Sequence, residues 1–419
     1  MSRVAVVGSG IAGMATAYLL SQKHLVHLLE RDERIGGHTH THTVETCRGP
    51  LPIDTGFIVH NDRTYPNLVK LLKELGIERK KSDMSFGVSC QKTGFEYSSR
   101  GMGGFFAQKS NWLRPAHYRF LLEIMRFNRE APRVLDDPAG SDLTLGKWLS
   151  ANDFSPEFSR YYLYPMAAAV WSTSMAEVED FPAVTLVRFF ANHGFLGLNT
   201  HPQWYVLEGG SSQYIAPLTQ PYRDRIRKGV NIIAVTRSQA RTHVAYADGS
   251  TEDFDEIVFA CHGPQALEML ADPTPVERAV LQGFTTSRNE TVLHTDAKLL
   301  PTRPGARASW NYHVGTAGRA ATLTYHMNRL QNLPAPEPYC VTLNATDQIN
   351  RNHVLREMTY HHPLMTLPAI RAQARWQEIS GHNHTHFCGA YWFYGFHEDG
   401  LNSAIRVAQT LGVNWRPEA

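Results

Sequence analysis

Residues 4–30 leave this chain few folds to choose from. Val4-Ala5-Val6-Val7 is an unbroken apolar run, as expected for a strand buried on both faces of a parallel sheet. Gly8-Ser9-Gly10-Ile11-Ala12-Gly13 follows at once, and Met14 to Leu20 continues as a helix. A second apolar strand, Leu25 to Leu29, ends in Glu30. Each residue type has a physical reason. Gly8 permits the tight turn, Gly10 lets backbone N–H groups approach a pyrophosphate, and Gly13 lets helix and strand pack closely. The helix N-terminus adds positive potential for phosphates. Glu30, about twenty residues after Gly10, is placed to accept ribose hydroxyls. The order strand, turn, helix, strand, acid predicts a dinucleotide site on an α/β fold.

Composition sets the outer bounds. With 42% hydrophobic and 19% charged residues over 419 positions, the chain is globular rather than disordered or fibrous. A formal net charge of +2 gives no reason to expect nucleic acid. Cys47, Cys90, Cys261, Cys340 and Cys388 are odd in number and scattered, so neither a disulfide framework nor a zinc ribbon is expected. A reducing cytoplasm fits that usage. No leader is expected ahead of Val4, and no apolar run of ~18 residues predicts a membrane span. The 21 histidines raise the question of a metal. His38, His40 and His42 alternate, as do His382, His384 and His386, so on strands each triplet would share a face. No Cys or carboxylate completes a ligand spacing, so both triplets read as solvated or hydrogen-bonded and no metal is expected.

Arg34-Ile35-Gly36-Gly37-His38 follows the second strand, and Asp54-Thr55-Gly56-Phe57 comes soon after. With the opening signature, these segments resemble the glutathione-reductase-type FAD fold of the amine oxidase and phytoene desaturase superfamily. The resemblance implies a Rossmann-like FAD-binding domain interleaved with an α+β substrate domain. On that pattern residues 1–85, 205–265 and 386–419 form the FAD-binding domain, and 86–204 and 266–385 the substrate domain. Residues 86–200 read as mostly helical. No second strand–G-x-G-x-x-G–helix occurs, since Gly103-Gly104 and Gly209-Gly210 lack the context. A second dinucleotide is therefore not expected, which leaves an internal redox reaction or an external electron acceptor such as oxygen.

The strings DTGFIVHNDRTYPNL (54–68), YYLYPMAAAVWS (161–172), PQWYVLEGGSSQYI (202–215), ASWNYH (308–313), TYHMNRLQ (324–331), VTLN (341–344) and YGFHEDGLNSA (394–404) narrow the resemblance. They are similar to bacterial FAD-dependent oxidoreductases associated with membrane fatty-acid modification. The activity implied is desaturation of a methylated unsaturated acyl chain, as in furan fatty acid formation, on a free or phospholipid-bound substrate. Carried over by motif, Gly8, Ser9, Gly10, Ile11, Ala12 and Gly13 hold the pyrophosphate, and Glu30 and Arg31 the adenosine side. Gly37, His38 and Thr39 run beneath the phosphates and ribityl chain. Gly56, Phe57 and Ile58 approach the flavin ring, and the Val235 backbone approaches adenine. Gly395, Phe396, Glu398, Asp399, Gly400 and Leu401 close over the pyrimidine end.

Amine oxidases of the superfamily generally keep a lysine near flavin N5 and two aromatic rings framing the amine. By register the lysine falls at Asn289 or Glu290, with the nearest, Lys298, further on; the cage ring falls at Phe396 or His397. Both departures favour an acyl chain over an amine. Desaturation needs a base to take a proton while a hydride leaves. Glu290, His294, Tyr312, Tyr325, His326 and Tyr360 are the candidates, with Glu290 favoured because an apolar pocket would raise its pKa toward neutrality. His60 and Asn61, just after the flavin-approaching segment, are expected to line the site. A redox-neutral double-bond isomerase, an amine oxidase and a lipid carrier that keeps FAD structurally stay open as alternatives.

One further stretch stands out. From Arg100 to Leu135 there are seven basic residues against two acidic, interleaved with Phe105, Phe106, Trp112, Phe120, Leu121, Leu122, Ile124, Met125 and Phe127. This reads either as an amphipathic helix packed on its own domain or as a peripheral contact with the inner face of the cytoplasmic membrane.

Overall fold

The computed structural model describes residues 1–136, 143–197, 202–315 and 322–415. The end of the last segment expected in the FAD-binding domain, 416–419, therefore lies outside the described residues. The apolar run becomes the strand Arg3–Val7, central in a five-stranded sheet. Leu25–Leu29 and Glu256–Phe259 pair with it in parallel on either side. Ile226–Arg227 and Thr385–Phe387 add the parallel outer strands. Val4, Ala5, Val6, Ile257, Val258 and Phe259 are fully buried, which is why the strands show no alternation.

The helix Ile11–Leu20 starts at Gly10 and packs over this sheet. The closeness of that packing is set by glycine. A Cβ on Gly13 would lie 1.9 Å from the Gly8 carbonyl oxygen. The last helix, His397–Thr410, lies against the first, and a Cβ on Gly400 would meet Ile11 Cγ2 at 2.7 Å. Sheet and helices share one apolar core.

A second core lies between a seven-stranded sheet and a layer of helices. Its strands come from Phe86–Cys90, Phe95–Ser98, Thr286–His294, Trp310–His313, Thr322–His326, Cys340–Leu343 and Val354–Pro363. Residues 86–98 are thus a hairpin rather than the start of the helical region. The helices Pro115–Glu130, Tyr164–Trp171 and Ala183–Asn192 cover the inner face. The long strand Thr286–His294 alternates: Asn289, Thr291 and Leu293 face inward, and Glu290 lies exposed between them. Among the described residues no helix is long and apolar enough to cross a membrane.

Gly13→Ala is expected to lower stability by about 1–3 kcal/mol, the usual cost of forcing one methyl into a packed contact. Urea unfolding of the two proteins checks this; an unchanged midpoint would mean the turn has room the packing denies.

Candidate functional site

The expected cofactor residues gather at the carboxyl ends of the parallel strands, where open α/β sheets bind ligands. Gly8, with φ of +103°, turns the chain out of the first strand. Its N–H donates to the Leu29 carbonyl at 2.8 Å, which joins the two strand ends. Ser9, Gly10, Ile11, Ala12 and Gly13 then open the first helix. Glu30 closes the turn: its Oε2 accepts the Ser9 N–H at 2.8 Å and the Ser9 hydroxyl at 2.5 Å, and its Oε1 accepts the Asp32 N–H at 3.0 Å. Arg31, beside it, is exposed and pairs with Asp32.

Arg34 shapes the next loop. Its guanidinium donates to the carbonyls of Gly37 at 2.7 Å and Thr39 at 3.0 Å. The Gly36 N–H reaches back to the Ser9 carbonyl at 3.0 Å. Gly37 then crosses Gly10 so closely that a Cβ would stand 2.9 Å from the Gly10 Cα. Gly56 runs under His38: the Phe57 N–H donates to the His38 carbonyl at 2.7 Å, and a Cβ on Gly56 would overlap that oxygen at 2.1 Å. Phe57 stacks on His397 at 3.6 Å between centroids, and Ile58 is buried beside it in sequence. His397 bonds Thr39 Oγ1 at 3.0 Å, and Thr39 also bonds the buried Tyr214 hydroxyl. The segments around 10, 37, 56 and 397 therefore meet in one place.

These residues fit a bound dinucleotide. A side chain on Gly10 would point into open space, and only glycine at 37 can lie against it. Polar atoms around the meeting point are sealed from solvent without protein partners: His38 Nε2 and both ring nitrogens of His60. Buried polar groups are normally paired, so such a cluster is what a ligand's polar atoms would satisfy.

Several expected roles need correction. Glu290 is not in a pocket. Strand alternation turns it outward, where it pairs with Arg288 at 3.0 Å and accepts from the Thr346 hydroxyl at 3.1 Å; those contacts hold its pKa below the usual range. His294 is buried in a cross-strand polar ladder. It bonds Thr342 at 2.7 Å, Thr342 bonds Thr324 at 2.9 Å, and Thr324 bonds His313 at 3.3 Å. Tyr312 faces the second apolar core, as does Tyr325, which lies edge-on to Trp310. Asn61 closes its own turn by accepting the N–H groups of Arg63 and Thr64. Its neighbour His60 is the one of the pair aimed at other rings, with Phe57, Tyr65 and Tyr205 around it.

At the far end of the site the backbone of Phe396 caps the last helix, and Gly395 precedes it with φ of +96°. The Glu398 carboxylate is engaged elsewhere: it accepts the N–H groups of Asn67 and Leu68 at the start of the helix Pro66–Glu74. Asp399 accepts the Phe396 N–H at 2.8 Å, and burial pushes its pKa up to about 7. Gly400 and Leu401 are buried against the first helix and the core. Val235 is fully buried and its carbonyl accepts the Ala271 N–H at 3.0 Å.

The structure also assembles a group that motif reading left scattered. His38, His40 and His42 face every second residue of the strand Val354–Pro363. His38 packs on Tyr360 and His362, His40 Nδ1 bonds the Tyr360 hydroxyl at 2.9 Å, and His42 Nε2 contacts Met358 Sδ. His362 Nδ1 in turn faces the Asn289 side-chain amide at 3.0 Å. Asn289, at the register of the expected lysine, is held by Ser287, Asn344 and His362. Met358-x-Tyr360-x-His362 is a period-two pattern matching that of His38, His40 and His42, and that match was the available signal. Of the second histidine triplet, only His386 lies on a strand. His384 sits in a turn at φ +57°, and both bond Glu256. Among the described residues no group of three or more His, Cys, Asp or Glu is arranged to hold a metal.

Burial dominates the electrostatics of the group. It pushes the pKa of His362 and His60 down to about 4 and that of His397 to about 3, so all three imidazoles are neutral near pH 7.

The sequence profile of the flavin containing amine oxidoreductases matches residues 11–338. None of the curated proteins matches the chain. Solved structures share its fold along almost their whole length. A putrescine oxidase redesigned in its cofactor site superposes with a TM-score of 0.73 at 13% identity, covering 98% of this chain and 99% of that one. A CLA-producing fatty acid isomerase from P. acnes gives 0.69 at 15% identity, covering 96% and 97%. A putative protoporphyrinogen oxidase from Exiguobacterium sp. 255-15 gives 0.68 at 17%, covering 98% of each chain.

The neutral histidines carry a pH consequence. An unfolded imidazole takes up a proton near pH 6.5, whereas these do so only near 3 to 4. Between those values the unfolded state binds more protons, so stability falls as pH drops below about 6.5. His60→Phe is expected to flatten that fall by up to ~1.4 kcal/mol per pH unit. Urea unfolding across this range is the check, and an unchanged slope would mean His60 is already solvated.

Proposed function

Because the chain belongs to the flavin containing amine oxidoreductase family and uses FAD, we propose that it is an oxidoreductase that desaturates a methylated, unsaturated fatty acyl chain. The observation that carries this reading is the neutral, lysine-free group around Asn289, His362 and His38. It holds no ammonium group to poise a water against an amine, and its imidazoles are kept uncharged by burial. The adjoining wall supports the same substrate class. Phe396, half-buried, stacks on the buried Phe189 at 5.2 Å, and Phe189 packs on the buried Trp171 at 4.7 Å, so the side chain that precedes the last helix is backed by apolar aromatic packing.

When bound, FAD supplies a hydride acceptor for one substrate C–H bond. The protein's part is to take a proton from a neighbouring carbon. Beside an alkene the developing charge is delocalised, so a modest base is sufficient. His38 is the base in this reading: its Nε2 is buried without a protein partner, so the neutral ring can carry a free lone pair there. His362 lies tilted against it at 5.2 Å and positions that ring, its own Nδ1 already accepting the Asn289 amide N–H at 3.0 Å. Oxygen or another external acceptor then takes the two electrons.

A second reading is a redox-neutral double-bond isomerase, whose chemistry also begins at a C–H bond next to an alkene. The shared fold with the fatty acid isomerase keeps it in view. The two differ in product mass. We expect methylated unsaturated acyl chains to bleach the flavin anaerobically and to yield a product two hydrogens lighter. His38→Gln, in protein whose flavin absorbance is retained, should slow that bleaching by about 10²–10⁴-fold, the usual contribution of a general base. A product of unchanged mass would select the isomerase. Bleaching by putrescine, with acyl chains inert, would replace both readings with amine oxidation.

A further inference from the structure

We infer that the face built by residues 102–125 docks on an anionic lipid bilayer. The helix Pro115–Glu130 is apolar on two sides. His117, Phe120, Ile124 and Phe127 form the buried stripe that anchors it to the second core. That stripe accounts for its amphipathicity within the fold. The opposite side carries a second stripe, Tyr118, Leu122 and Met125, that the described residues leave open: 41%, 63% and 47% of their surface is exposed. The preceding turn, Lys109–Leu113, adds Trp112 and Leu113, with Leu113 90% exposed. Of the nine exposed large hydrophobic residues among those described, six lie within 102–125. Single exposed apolar residues are ordinary, but such a concentration marks a contact surface.

The surface is held ready rather than loose. Trp112 stacks on the buried Phe106 at 4.0 Å, and its carbonyl accepts the Tyr118 hydroxyl at 2.9 Å. Trp112, Leu113, Pro115, Tyr118, Arg119 and Leu122 line a shallow groove of about 420 Å³. Tryptophan and tyrosine beside aliphatic side chains suit the boundary between headgroups and acyl chains.

Charge identifies the occupant. Lys109, Arg114, Arg119, Arg129 and Arg133 are all exposed on this stretch. The two acids there are engaged: Glu123 accepts the N–H and hydroxyl of Ser155, and Glu130 pairs with the half-buried Arg126 and the exposed Arg129, which leaves Lys109, Arg114, Arg119 and Arg133 as the cations not paired to them. The outward face is therefore apolar and cationic together, which is the pairing an anionic membrane surface attracts. A second copy fits poorly, because a twofold contact through this face would set Arg119 and its neighbours against their own copies. This surface is independent of the substrate: an amine in place of an acyl chain would leave it intact.

The test is flotation of the full-length, flavin-loaded protein with vesicles of phosphatidylcholine plus phosphatidylglycerol, and with phosphatidylcholine alone. Binding is expected to the anionic vesicles at low salt and to weaken as salt rises. Leu113→Asp and Leu122→Asp should each reduce it about tenfold or more with flavin absorbance retained. Ile233→Asp, at an exposed site on another element, should leave it unchanged. No flotation at low salt, or full binding by both Asp variants, would overturn the inference. So would a dimer in light scattering that Leu122→Asp disperses while vesicles go unbound.

Discussion

A single buried carboxylate joins the parts of this molecule that come from distant stretches of chain. Asp54 is fully buried, and among the described residues no Lys or Arg pairs with it. Its oxygens accept the Thr41 hydroxyl at 2.6 Å, the Ser211 N–H and hydroxyl at 2.8 and 2.9 Å, and the Gln331 amide at 2.9 Å. Its own N–H returns to Gln331 at 2.9 Å. Taking an isolated carboxylate out of water costs several kcal/mol, so the site stands only while all these donors are in place. Burial still pushes its pKa up to about 6. The Gly56-Phe57 segment, the histidine comb and the start of the helix after Gly210 are all aligned by this one group. Gly210 shows how closely: a Cβ there would meet the Thr41 methyl at 2.5 Å.

The nucleotide end was legible because its constraints are local. A turn that packs one backbone on another admits only glycine, and Gly8, Gly13 and the acid at 30 fall within one strand–helix–strand unit. The group around Asn289 and His362 was not legible, for two reasons. Adjacent residues on a strand face opposite ways, so Glu290 and Asn289 exchange roles with a change of one in register. The partners of Asp54 and Asn289 also lie far off in sequence, with nothing in composition to mark Gln331 or His362 as the groups that complete them. His60 and Asn61 make the same point: two neighbouring buried residues of similar polarity, one closing a turn and the other left facing rings.

The electrostatic character of the interior follows from this arrangement. The imidazoles there gain no charged partner close enough to offset desolvation, so they stay neutral. Carboxylates at the same depth shift the other way, as Asp54 and Asp399 do. The interior around the site is thus one of hydrogen bonds rather than ion pairs. The fixed charges of the protein are largely at its surface, among them the cationic face of residues 109–133.

The contact between Ile11 and Gly400 has a consequence for how the chain is made. The first helix is completed only by the last, and the outer strand Thr385–Phe387 is likewise among the final pieces of the parallel sheet. A ribosome delivers the glycine turn first and its covering helix almost a whole chain later. Through that interval the first strands wait with an uncovered apolar face, and the helical and seven-stranded layers are synthesised in between. Folding of the parallel-sheet half is therefore coupled to completion of nearly everything else, the behaviour of a high-contact-order topology.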